Sequence, residues 1–211
     1  MAELQALGLR IVPVTVVGDK TVSGFDRQEL TRLFQLSEQK EKPVAGPWLF
    51  DTLDKILTAV IRATRQVPPD RTLWTTPDRD RPFRVFCYHI LVDPIHVLDA
   101  IASGKYDGNF KLTYAEKAEP FGSMEEVARF GEECRSRVRQ AAKNLSRAEL
   151  DRPIDGYAGR TDGHELFYLV LSHTGHHLRQ LYAMLGMIGV EPADPLKEED
   201  FRGIQMPKEL W

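Results

Sequence analysis

The sequence predicts a mainly α protein, a four-helix bundle with a small N-terminal β-hairpin plus helix. Three observations lead there. Four long segments repeat apolar residues at three- and four-residue steps, the spacing of a helix with one buried stripe. β-Branched runs are confined to the first 25 residues, around the turn residues Gly18, Asp19 and Lys20. The strongest helical stretch, Leu166–Leu185, sets two histidines on its apolar stripe, which gives the bundle an inward-facing polar site.

In chain order, Val12–Val17 and Thr21–Phe25 read as two short strands. Asp26 caps a helix to about Leu36, with Glu29 three residues on in a capping-box spacing. A hairpin with one helix is too small to bury its own core, so residues 1–36 must dock or pair with a second copy. Residues 37–47 carry two prolines and a glycine among polar residues and read as a linker.

The bundle spans 48–190 and a tail spans 191–211. Its first helix, Leu49–Arg65, presents Leu49, Leu53, Ile56, Leu57, Val60 and Ile61 on one stripe. The second, Phe83–Ser103, holds Pro94, which predicts a kink or break beside His89, or a fresh helix capped by Asp93. Gly104–Pro120 reads as a polar loop. Ser123 and Glu126 box the start of a third helix running to Leu145, whose Arg135, Arg137 and Arg139 read as a solvated face. Thr161 or Asp162 caps the fourth helix, whose stripe is Leu166, Leu169, Val170, His173, His177, Leu181, Met184 and Ile188. The tail is expected to pack loosely on the surface.

Composition excludes several classes. With 42% hydrophobic and 28% charged residues the chain is of globular type. A net charge of -3 and the lack of a basic run argue against nucleic-acid binding. No apolar stretch reads as long enough to cross a bilayer, and the N-terminus lacks signal-peptide architecture, so no membrane partner and a cytoplasmic location are expected. Cys87 and Cys134 form neither a CxxC nor a disulfide framework and read as buried helix residues. No GxGxxG, P-loop or GxSxG is present.

His173 and His177 lie one turn apart on the apolar face, where two imidazoles can share one metal ion. His89, on the buried side of the second helix, is the expected third ligand. His96, two turns from His89, and His176, on another face, read as rim residues. Three neutral imidazoles with an open fourth position make a catalytic-type site. Zinc suits such a set best, with nickel or iron also accommodated. Gln180, on the same stripe, can orient a ligand, and Asp93 can accept the second N–H of His89.

YHILVD around His89 and SHTGHHLRQLYAMLGMIGVEP around His173 and His177 resemble the DinB/YfiT-like metal-binding bundle superfamily. LGLRIVPVTVVGD followed by TVSGFDRQEL resembles the C-terminal half of a glutaredoxin of redoxin type, a partial thioredoxin-like fold. That second resemblance implies that Val12, Pro13, Gly24, Phe25 and Asp26 form half of a thiol-binding groove. The CxxC-bearing helix of that fold has no counterpart in residues 1–36, so thiol–disulfide exchange is not implied. The segment is a docking or dimerising relic, or the chain continues upstream; the sequence leaves both open. Together the resemblances imply a metal-dependent transferase that activates a low-molecular-weight thiol (glutathione-, mycothiol- or bacillithiol-like) against an electrophilic small molecule. The alternatives are a hydrolase using hydroxide generated at the metal, and a non-catalytic metal- or ligand-binding protein that forms a homodimer.

Overall fold

Four long helices carry the core: α2 Pro47–Arg65, α3 Phe83–Ser103, α5 Met124–Asn144 and α7 Gly163–Met187. They belong to a computed structural model that describes residues 14–23, 27–36, 45–77, 79–207 and 209–210. α2 and α3 each pack on both α5 and α7, so α2 and α3 face each other across the bundle. Leu53, Ile56, Leu57, Ile90, Leu91, Phe167, Leu171, Leu178 and Leu181 fill the space between them and are fully buried.

The helix starts follow from local chemistry. Pro47 stands at the first turn of α2, where its missing N–H costs nothing. Ser123 and Glu126 form the expected capping box on α5. Asp162, and not Thr161, caps α7 by accepting the Glu165 backbone N–H at 3.0 Å. Gly104, at φ 76°, ends α3 in the left-handed conformation that glycine adopts without strain.

Pro94 neither breaks nor restarts α3, which is continuous through it. The proline removes one backbone hydrogen bond, a cost of about 3 kcal/mol. Burial of Ile90, Leu91, Ile95 and Val97 on several sides of the same helix outweighs it. α3 is also apolar and long enough to cross a membrane, contrary to the sequence expectation, but 72% of that window is buried inside the bundle.

The segment read as a polar loop is ordered. It holds strand β3 Lys105–Tyr106, a 3-10 turn at Asn109–Thr113 and helix α4 Tyr114–Ala118, with Tyr106 and Tyr114 buried. Apolar faces on Tyr106, Phe110 and Tyr114 hold it against α3, a pattern too short and aromatic to register as a helix stripe. After α5 come the short helix α6 Arg147–Leu150 and strands β4 Ile154–Gly156 and β5 Gly159–Thr161; β4 pairs parallel to β3 and antiparallel to β5.

At the N-terminus, β1 Val14–Val17 and β2 Lys20–Ser23 pair antiparallel from Val14↔Ser23 to Val17↔Lys20, turning at Gly18 with φ 62°. Helix α1 Arg27–Leu33 follows and leans on β5. Val12, Pro13, Gly24, Phe25 and Asp26 lie outside the described residues.

Three further expectations change. Leu169 faces solvent at 52% exposure, because a stripe read by 3- and 4-residue steps drifts around a helix of 25 residues. Arg135 is not merely solvated: it makes a two-pronged ion pair with Asp54 of α2, at 2.7 and 2.8 Å. The tail does not lie loosely; Phe201 is buried and the chain after it follows α7.

Candidate metal centre

The bundle brings His89 of α3 together with His173 and His177 of α7. One ligand nitrogen from each lies within 4.8 Å of the others, wider than the roughly 3.3 Å between imidazole nitrogens around one tetrahedral ion, so the rings must draw together to share one. His89 and His177 are buried, while His173 keeps 35% of its side chain exposed and so opens the cluster on one side. Phe86 packs edge-on against His177 with ring centres 5.2 Å apart.

Asp93 is the hub of the polar shell. One turn after His89 on α3, its Oδ2 accepts from His89 Nε2 at 3.2 Å and from His173 Nδ1 at 3.0 Å. Its Oδ1 accepts the Tyr114 hydroxyl. Burial alone would raise the Asp93 acid, but the hydrogen bonds from His173 and His89 outweigh it and hold the carboxyl well below the usual range. Burial, and then the neighbouring Asp93 charge, push the Tyr114 hydroxyl up, so Tyr114 remains a donor.

On the other side of the cluster, Gln180 Oε1 lies 2.5 Å from His177 Nδ1. Burial, reinforced by His173 and His89, pulls the His177 imidazole down to about 2. Burial likewise lowers His89, against the opposing pull of Asp93. Both rings are therefore neutral at ordinary pH, the form that ligates metal.

The donor set fits a cation. His173 Nδ1 gives its proton to Asp93 and His177 Nδ1 gives its proton to Gln180. That leaves the two Nε2 atoms as the positions open to a ligand, and they face each other at 2.8 Å. A shared proton or a cation satisfies both nitrogens at that separation. His89 is less free: Nε2 donates to Asp93, and Nδ1 accepts from the Arg81 guanidinium at 3.1 Å. It must release one of these partners to join an ion.

The remaining histidines stand apart. His96 stacks on Phe110 at 4.1 Å and lies outside the cluster. His176 is half-buried and outside the cluster, and its Nδ1 is buried without a hydrogen-bond partner among the described residues. His164, not singled out from the sequence, is buried at the start of α7; Nδ1 accepts the Ala45 backbone N–H at 2.8 Å and Nε2 meets Asp151 at 3.0 Å. The buried thiols, Cys87 and Cys134, are pushed up to about 12, chiefly by burial, and so are poor nucleophiles. A groove of about 490 Å³ between α2, α5 and α6, with Asp54, Arg139 and His164 on its walls, shares no residue with the cluster.

Sequence reasoning placed Asp93 and Gln180 beside the histidines but missed Tyr114 and Arg81. Asp93 sits at i, i+4 from His89, a spacing visible in the sequence. Tyr114 opens a helix of five residues and Arg81 lies in a loop, and neither segment is long enough or regular enough for periodicity to report direction.

A helical bundle with an inward cluster of imidazoles, each backed by an acceptor, defines a metal-binding class of protein. The sequence profile of the DinB superfamily matches residues 52–181, and the chain belongs to that superfamily, whose members typically bind metal. A crystal structure of a DinB-like protein from Bacillus subtilis superposes with a TM-score of 0.54 at 15% identity, covering 71% of this chain and 96% of that one. At that identity the likeness is one of fold. No curated protein matches the sequence.

Proposed function

We propose that this chain is a metal-dependent transferase that activates a low-molecular-weight thiol against an electrophilic small molecule. The observation that carries the metal half is the pair of Nε2 atoms held face to face by Asp93 and Gln180, with His89 alongside. His89, His173 and His177 would hold one divalent ion, zinc first and nickel or iron next by ligand type. When bound, the ion supplies Lewis acidity that favours the anionic form of a thiol.

The chain's own residues do the rest. Asp93 and Gln180 fix the imidazole tautomers. Phe86 and Tyr114 border the cluster and limit water. The exposed side of His173 leaves one approach for a small molecule. The thiol half of the proposal rests on the redoxin-like segment containing Val12, Pro13, Gly24, Phe25 and Asp26, read from sequence.

The test begins with metal content in protein purified without chelator, beside the His173→Ala variant. About one ion per chain, lost in the variant, is expected. Loaded protein should then consume glutathione, bacillithiol or mycothiol in the presence of an aryl halide, and chelated protein should not. Turnover of an ester or amide without thiol would replace the transferase with a hydrolase. Absence of metal, with only stability changed in the variant, would reduce the histidines to core groups.

A further inference from the structure

The strap that follows α7 returns to the histidine cluster. Beyond Gly189 the chain descends α7: the Leu196 backbone N–H donates to the Tyr182 hydroxyl at 3.1 Å, Arg179 meets Glu198 at 3.6 Å, and Phe201 is buried. Gly203, at φ 88°, reverses its direction. It then climbs α7 turn by turn. The Tyr168 hydroxyl donates to the Gly203 carbonyl at 3.1 Å, and the Ser172 hydroxyl donates to the Gln205 carbonyl. Gly175 admits Met206, whose Sδ would stand 3.0 Å from any Cβ placed there. The Leu210 carbonyl finally accepts from Gln180 Nε2.

That last bond carries information. Gln180 is 1% exposed, so its amide has few partners to choose from. A carbonyl can only accept, so the amide end facing Leu210 must be the NH2. The other end, Oε1, therefore faces His177 Nδ1 at 2.5 Å. Oε1 can only accept, so the His177 proton sits on Nδ1 and the lone pair on Nε2. Nε2 is the atom turned towards His173.

Resting on the reading of the cluster as a metal site, we propose that the strap end is part of the metal centre. The Leu210 carbonyl, acting through Gln180, sets the His177 tautomer that ligation requires, so metal binding and strap docking are coupled. Gln180 is a positioning residue here. Coupling is reciprocal: the factor by which the docked strap tightens metal binding is the factor by which metal tightens the docking.

Three proteins test this: the full chain, a chain ending at Pro207, and Gln180→Glu. Zinc affinity is read by competition with a chromogenic chelator, and strap docking by hydrogen exchange of the Gln205, Met206, Glu209 and Leu210 amides with and without zinc. Ending the chain at Pro207 should weaken zinc binding about tenfold, as loss of an outer partner of a ligating histidine does. Zinc should slow exchange in the full chain by a similar factor. Gln180→Glu keeps an acceptor for His177 but offers no donor to Leu210, so it should hold zinc within a few-fold of the full chain while its strap exchanges at one rate with or without zinc.

Equal zinc affinity in the full and shortened chains, or no effect of zinc on strap exchange in the full chain, would overturn the coupling and leave the metal site standing. A full chain that binds no zinc, nickel or iron would overturn the metal reading itself. Should the shortened chain fail to fold, exchange in the full chain and in Gln180→Glu decides.

Discussion

At the scale of single residues, the cluster exposes its chemistry through pH. His177 titrates near 6.5 when unfolded and is pulled down to about 2 when folded; His89 is lowered too. Below pH 6.5 the unfolded chain binds protons that the folded chain refuses, so stability falls as pH falls. From His177 alone the slope between about pH 6 and pH 4 approaches 1.4 kcal/mol per pH unit. Metal-free protein should lose urea resistance across that window, and His177→Gln should flatten the slope by about that amount. An unchanged slope would mean that His177 protonates freely in the folded state. Arg81 supplies a second test. Its guanidinium occupies His89 Nδ1, a competitor for any cation at that ring. Arg81→Ala should tighten zinc binding about five- to tenfold in a chelator competition, the size of one charge-assisted hydrogen bond of about 1–1.5 kcal/mol. Weaker binding would show instead that Arg81 supports the site. His89, His173 and His177 were legible in the sequence because helical periodicity says which side chains share a face. Arg81 was not, because a loop residue's direction is set by tertiary packing alone.

At the scale of elements, the four helices were legible because each carries a long apolar stripe and two carry cap residues of their own. The connections were not. The segment after α3 buries aromatic rings in short turns, and Pro94 was outvoted by the apolar residues around it. Helix contact distance was equally invisible. Gly131 of α5 lies where a Cβ would stand 2.8 Å from both Leu91 methyls and 3.0 Å from Ile61 Cγ1. The glycine therefore lets α5 close on α3 and α2. Alanine in an exposed helix would gain about 1 kcal/mol over glycine. Here the overpacking cost of about 1–3 kcal/mol in a fully buried contact exceeds it. Gly131→Ala should lower unfolding stability, by up to about 2 kcal/mol, in urea titration. A stabilised variant would show that Leu91 turns aside without loss, and that α5 is held by its Asp54–Arg135 ion pair and not by close approach.

At the scale of the molecule, the bundle and the N-terminal piece differ in how they are held. The bundle has a continuous core of fully buried aliphatic and aromatic side chains. The N-terminal elements leave Val16, Val17, Phe34 and Leu36 at 48%, 40%, 50% and 60% exposure. A two-stranded hairpin with one short helix is marginal by itself, so its order derives from docking against β5 or from a second copy. The histidine cluster draws on α3, α7, the loop before α3, α4 and the strap and, among the described residues, on nothing before Ala45. A chain beginning at Lys42 retains the Ala45 N–H that His164 accepts. It should fold cooperatively and bind zinc within twofold of the full chain, as read by chelator competition. If the exposed hairpin pairs with a second copy, light scattering should show concentration-dependent association for the full chain and none for the shortened one. Loss of cooperative folding on shortening would instead make the hairpin and α1 a working layer of the bundle. The resemblance to a thiol-binding half-fold would then describe a structural element, and the proposed thiol chemistry would have to rest on the cluster alone.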